Sequence, residues 1–231
     1  MIDTTPHEAA TVTFARDGAQ RFQAAVPLAT LQDILQAVAD QPSAQAGVRI
    51  YGVAALRPLL ACTGPIGTIA ASVLGPACRP VRAILFDKTP DQNWSLGWHQ
   101  DRTIVVRERI DVEGFEPWTV KSGLLHVAPP FAVLTGMVTL RVHLDPVPVR
   151  NAPLLVAPGS HRLGRIPVNE VGDVVRRCRS TACVADAGDI WLYATPILHA
   201  SEAAAEPDRR RVLQVDFSAD ELPGGLRWLG V

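Results

Sequence analysis

Net charge is nearly absent from this chain of 231 residues: the formal balance is −1 at pH 7, with 19% of residues charged. That balance gives no ground for nucleic acid or an acidic membrane as a partner, since both select strongly basic surfaces. Lysine is almost missing as well. Lys88 and Lys121 are the only two, and the rest of the 22 Lys and Arg residues are arginine, a bias of the coding genome rather than of chemistry. The four cysteines (Cys62, Cys78, Cys178 and Cys183) form no Cys-x-x-Cys pair. Their apolar or Arg-flanked settings predict small reduced thiols, not a zinc knuckle, although Cys178 and Cys183 stand close enough in sequence to pair. Met1 to His7 lacks a basic segment followed by an apolar core, so the expected location is cytoplasmic. Pro58 to Cys78 carries no charge and has the length of a membrane span. Gly64, Pro65, Gly67, Gly75 and Pro76 interrupt it, which predicts a buried helix with loop ends instead. Repeats and low-complexity linkers are lacking, so residues 1–231 read as one domain.

What the chain does have is a core: 48% of its residues are apolar. Pro27 to Asp40 carries Leu28, Leu31, Ile34, Leu35 and Val38 on one helical stripe, and Ile66 to Leu74 reads as a second helical patch. Phe14 to Gly18 reads as a strand end and turn. Beyond residue 80 the pattern changes to short apolar strands separated by Pro, Gly and Asp: Val81–Phe86, Thr103–Val106, Leu134–Leu144, Leu154–Val156, Asp189–Leu192 and Arg211–Phe217. Such spacing predicts a mainly β protein, a sandwich or jelly roll with its helices packed on the outer face of one sheet. Asp111 to Ser122 breaks the strand pattern and reads as a loop near a site mouth.

Chemistry concentrates at Trp98-His99-Gln100-Asp101. Alternate residues of a strand share a side, so His99 and Asp101 face one space and Gln100 turns away. An imidazole and a carboxylate so placed are two parts of a 2-His-1-carboxylate facial triad, the set that holds non-haem Fe(II) with open positions. His199, in Pro196-Ile197-Leu198-His199-Ala200-Ser201, is a candidate for the third ligand. A second His-x-Asp, His143-Leu144-Asp145, is read as a hydrogen-bonded strand histidine and its neighbour. His161 is expected to stabilise its turn, and His7 lies in a terminus.

Three features in order, the Trp-His-Gln-Asp segment, the Pro158-Gly159-Ser160-His161 turn and the spacing from His199 to Arg210, resemble the phytanoyl-CoA dioxygenase family of Fe(II)/2-oxoglutarate oxygenases. The resemblance covers most of the chain. It implies a double-stranded β-helix, jelly-roll or cupin-like, with iron on His99, Asp101 and His199. It also implies 2-oxoglutarate on the metal, its far carboxylate held by Arg210 and the Ser201 hydroxyl, and O2 as oxidant. In related halogenases a small residue replaces the carboxylate ligand, so Asp101 favours hydroxylation of an unactivated C–H bond. A dicarboxylate in a barrel needs a charge partner, which a guanidinium provides through two parallel hydrogen bonds. In the last strand Leu213, Val215 and Phe217 form the apolar face. Arg210, of opposite parity, points inward with Val212 and Gln214, while Arg209 and Arg211 read as solvated or salt-bridged. A bulge would exchange Arg210 and Arg211.

Further residues carry two readings each. Gln100 could order the groups around the ligands. Trp98, Lys88 and Asn93 could line the pocket, or serve packing and turns. Arg102, Arg107, Arg109 and Arg141 could attract an anionic substrate, or belong to a solvated face. His126 could face the pocket, or be structural. The family's frequent Asn-Gly stands here as Asn151-Ala152, and the length leaves little room for a substrate lid. Both leave the substrate open: a small molecule, with the protein expected as a monomer or homodimer. Two other classes fit the same barrel: a metal-dependent hydrolase or isomerase, and a non-catalytic binding module.

Overall fold

The computed structural model describes residues 13–42 and 47–231. The readings made on Met1 to His7 fall outside those residues. Thirteen strands are described: β1 (Ala19–Phe22), β2 (Val48–Ile50), β3 (Arg79–Lys88), β4 (Leu96–His99), β5 (Ile104–Val105), β6 (Trp118–Lys121), β7 (Leu124–Val127), β8 (Met137–His143), β9 (Leu155–Val156), β10 (Thr181–Ala182), β11 (Ile190–Ala194), β12 (His199–Ser201) and β13 (Arg210–Ser218). The α-helices are α1 (Phe14–Asp17), α2 (Leu28–Ala37), α3 (Arg57–Leu60), α4 (Gly67–Leu74), α5 (Phe131–Thr135) and α6 (Val171–Cys178).

The strands form a six-stranded sheet in the order β1-β11-β8-β13-β3-β2 and a four-stranded sheet in the order β10-β9-β12-β4, with every pair antiparallel. This is a double-stranded β-helix. A third sheet, β5-β7-β6, adds a flap with its own apolar cluster around Val81, Phe115 and Trp228.

Period-two alternation gives the large sheet two different faces. Leu213, Val215, Leu140, Val142, Ile190, Leu192 and Leu85 point outward and pack with Leu31 and Ile34 of α2, Leu60 of α3 and Ala70 of α4. The helices therefore cover one face, as expected for strands whose outward residues are aliphatic. Burying each such side chain contributes about 1.5–3 kcal/mol. The opposite parity carries Arg82, Lys88, Arg141, Arg210 and Gln214, which line a cavity between the sheets.

Several local expectations change. Phe14 to Asp17 is a helical turn, not a strand end, and Gly18 closes it in the left-handed region (φ 73) by donating its N–H to the Phe14 carbonyl. The strand expected from Leu134 starts at Met137, because Pro130 opens a short helix over Phe131–Thr135. Trp118–Lys121, expected in a loop, is a strand that pairs with β7; its turn at Ser122 (φ 50) and Gly123 (φ 76) reverses the chain tightly. Leu28, placed on the buried stripe, opens α2 and is 71% exposed. Pro58 to Cys78 folds as two short helices, and no described helix is long and apolar enough to cross a membrane. All four cysteines are free.

Candidate metal centre and its cavity

His99 and His199 are register partners across β4 and β12, with ring centroids 4.3 Å apart. Antiparallel pairing puts facing side chains of neighbouring strands in contact. β4 ends at His99, and Asp101 follows two residues later on the same side. One ligand atom from each of His99, Asp101 and His199 lies within 4.8 Å of the others. Each imidazole is oriented by its own chain. Nδ1 of His99 donates to the Gly97 carbonyl at 2.7 Å, and Nδ1 of His199 to the Ile197 carbonyl at 3.0 Å. A carbonyl only accepts, so Nδ1 carries the proton and each Nε2 keeps a free lone pair. Two imidazole nitrogens and a carboxylate suit a divalent metal that retains open positions.

The electrostatics also suit a metal. Arg82 on β3 donates to Asp101 Oδ2 at 3.0 Å and makes a closer ion pair with the buried Asp216. Asp216 in turn accepts from Thr139 at 2.9 Å. Burial would raise the Asp101 carboxyl, but Arg82 and then the two histidines outweigh it and hold the group below the usual carboxylate range. Burial pushes His199 down to about 4, against the pull of Asp101. At neutral pH Asp101 is thus ionised and His199 neutral, the protonation states a metal would require of them.

The triad opens on a cavity of about 780 Å³. One wall carries Arg210, which is 4% exposed and pairs in register with Lys88 of β3. Arg210 Nη1 donates to the carbonyls of Asn151, at 3.0 Å, and Ala152. Burial and then Arg141 lower the Arg210 guanidinium to about 10, still a cation at neutral pH. Lys88 Nζ donates to the Trp94 carbonyl at 2.6 Å, Ser201 Oγ at 3.0 Å and the Glu202 carbonyl at 2.9 Å. Its pKa falls to about 7, first through burial and then through Arg210 and Arg141. Because Ser201 Oγ accepts from Lys88, its own hydrogen is free for another acceptor.

Other sequence candidates sort by position. Gln100 turns from the ligands, donating to the carbonyls of Gly164 (3.0 Å) and Pro196 (2.8 Å) and accepting the Ile166 N–H (2.9 Å). It thereby ties two loops, Gly164–Ile166 and the turn at Pro196, to the end of β4. Arg141 lines the cavity, donates to Gln214 Oε1 at 2.8 Å, and leaves its buried Nε without a partner. Trp98, Arg102 and His126 also line the cavity; Arg102 donates to the Ile166 carbonyl at 2.7 Å. Asn93 does not line it, since its amide bonds the backbone of Ala204 in both directions. Arg107 and Arg109 also lie off the cavity, bonded to the Trp228 carbonyl and to Asp111. Arg209 and Arg211 pair with Asp87 and Asp145. The His143 ring, expected to be hydrogen-bonded, has both nitrogens buried without a partner, and burial holds it well below the usual histidine range. His161 packs against the Gly18 turn, where a Cβ would meet its ring. Arg82, Arg49 and Lys121 line the cavity and were not singled out from sequence. The parity of Arg82 with Lys88 along β3 is the signal that points inward.

No curated protein matches the chain in sequence. In structure it is similar to AviO1 from Streptomyces viridochromogenes Tue57 (TM-score 0.63, 19% identity, covering 96% of this chain and 98% of that one). It is similar also to the epimerase SnoN in complex with Fe3+, alpha ketoglutarate and nogalamycin RO (TM-score 0.63, 16% identity, 92% and 88% covered). HygX from Streptomyces hygroscopicus with nickel and 2-oxoglutarate bound is a third (TM-score 0.59, 13% identity, 89% and 83% covered). At these identities the likeness establishes the fold. The family model of phytanoyl-CoA dioxygenase matches residues 14–212, and the chain therefore belongs to the phytanoyl-CoA dioxygenase family.

Proposed function

We propose that this protein is an Fe(II)- and 2-oxoglutarate-dependent dioxygenase that hydroxylates an unactivated C–H bond of a small molecule. The observation that carries the reading is the three-donor set itself: two imidazoles with free Nε2 atoms and one carboxylate, with no fourth member among the described residues. His99, Asp101 and His199 would hold the metal, and the remaining positions would serve co-substrate and O2. Bound iron would let O2 act as the oxidant at an unactivated C–H bond, one oxygen atom going to the substrate and the other to succinate as 2-oxoglutarate loses CO2.

The chain's own side chains bind and orient. Arg210 would receive the far carboxylate of 2-oxoglutarate, its guanidinium positioned by the carbonyls of Asn151 and Ala152. Ser201, held by Lys88, would donate its hydroxyl to the same carboxylate. Gln100 would keep His99 and Asp101 in place by fixing the loops around them. Arg82 would hold Asp101 ionised.

The reading is tested by incubating the protein with fresh Fe(II), ascorbate, O2 and 2-oxoglutarate. Slow succinate formation without any further substrate is expected. Its absence would favour a metal-dependent hydrolase or isomerase, or a non-catalytic binding module. Once a substrate is found, product mass separates hydroxylation from epimerisation, the activity named for SnoN: only hydroxylation adds oxygen.

A further inference from the structure

At the flap side of the cavity a second group of polar side chains lies apart from the Arg210 wall. His126 on β7 is 0% exposed and lines the cavity. Its Nδ1 donates to the Leu124 carbonyl at 2.9 Å, so its Nε2 is an acceptor, and that buried atom has no partner. Arg49, from edge strand β2, donates through Nη1 to Ser122 Oγ at 3.1 Å on the β6–β7 turn. Its Nε is also buried and unpaired. Lys121 completes the group from β6.

Seven lining side chains of the cavity are Lys or Arg and one, Asp101, is a carboxylate, on a chain whose formal net charge is −1. Positive charge is thus concentrated here. Asp101 and Asp216 neutralise Arg82, and burial is the main cause that lowers Arg49, followed by Arg82. A buried, unpaired guanidinium nitrogen and a buried, unpaired imidazole acceptor are costly unless a ligand meets both. Phe86, Trp94 and Trp98 also line the cavity and suit an apolar or aromatic body.

We propose that Arg49, Lys121 and His126 form the substrate-anchoring subsite, recognising a small molecule with an anionic group beside a hydroxyl or amine. Arg49 and Lys121 take the anion. His126 Nε2 accepts the hydrogen bond from the neighbouring hydroxyl or amine. The oxidation of the anchored molecule rests on the dioxygenase reading; its binding does not. Because His126 is pushed down to about 4, chiefly by burial, it remains an acceptor at neutral pH.

The test is calorimetry on protein holding Fe(II) and saturating 2-oxoglutarate without O2, so that Arg210 is occupied. The probes are mandelate, mandelamide, phenylacetate and inorganic phosphate. Mandelate should bind more tightly than mandelamide, which lacks the charge, and than phenylacetate, which lacks the hydroxyl. Arg49→Gln should weaken mandelate by about ten- to a hundredfold and erase its advantage over mandelamide. Arg49→Lys should restore part of it. His126→Phe should erase the advantage over phenylacetate. All three variants should keep the iron–2-oxoglutarate absorption band, which shows that they fold. Competition by phosphate that depends on Arg49 would support the same anion site and identify a phosphate as the better anion. Equal binding of mandelate and mandelamide, no binding by any probe, or no change in Arg49→Gln would overturn the proposal. If wild-type protein lacks the band, the dioxygenase reading fails, and the same titration on metal-free protein still decides the subsite.

Discussion

His199 stands directly across the β4–β12 pair from His99, each ring locked by a hydrogen bond to the carbonyl two residues before it. The placement of these two candidate ligands thus rests on strand pairing and two backbone carbonyls, and the strand pairing persists when one side chain is removed. His99→Ala, Asp101→Ala and His199→Ala should each fold and yet lose Fe(II) affinity. Changes to groups around a metal cost about ten- to a hundredfold, and a ligand should cost at least that. His143→Ala should bind iron normally. Metal titration of the four variants checks this, and the opposite pattern would move the site to His143.

Arg210 should govern co-substrate affinity without governing iron. Losing its charge-assisted pair in a buried site should cost about 2–5 kcal/mol in 2-oxoglutarate binding, or roughly thirtyfold to several-thousandfold. Arg210→Lys should recover only part, because an ammonium cannot form the planar fork. Arg209→Ala and Arg211→Ala break pairs with Asp87 and Asp145 and should leave this affinity near wild type. Anaerobic calorimetry separates the three positions.

Arg82 links stability to the site. It is the ion-pair partner of Asp216, whose side chain is 2% exposed. Arg82→Met should destabilise the protein by about 3–5 kcal/mol, since a buried carboxylate is left uncompensated. Arg82→Met combined with Asp216→Leu should recover much of that loss. Urea denaturation of the single and double variants measures the difference, and a near-wild-type single variant would contradict it.

The metal-free protein should lose stability as pH falls from about 6.5 toward 4. Burial lowers His199 and His126 to about 4 and holds His143 well below its usual range. In this window the unfolded chain takes up protons that the folded chain refuses, so unfolding is favoured. Each such histidine contributes up to about 1.4 kcal/mol per pH unit. Denaturation midpoints at several pH values should show the slope, and His143→Gln should reduce it.

Much of the site was legible in the sequence because strand parity is a strict rule. The inward set of β13, Arg210 with Gln214, follows from Leu213 and Val215 packing under α2. Gln100 facing away from His99 and Asp101 follows from the same rule. What parity does not encode is which strands meet. Arg49 and His126 lie on β2 and β7, in different sheets, and only the folded chain brings them to one cavity. Local competition explains the other differences. Pro130 imposed a helix turn on Phe131–Thr135, where the apolar run suggested an early strand. Phe14 to Gly18 closed as a helical turn because Gly18 accepts a left-handed conformation.

The most direct test of the central claim is an anaerobic titration of metal-free protein with Fe(II) and 2-oxoglutarate, followed by visible absorption. The account predicts a metal-to-ligand charge-transfer band that needs both components and saturates at stoichiometric iron. The band should persist in His143→Ala, vanish in His199→Ala, and require far more 2-oxoglutarate in Arg210→Ala. Iron binding without a band at any 2-oxoglutarate concentration, or a band that survives His199→Ala, would contradict it.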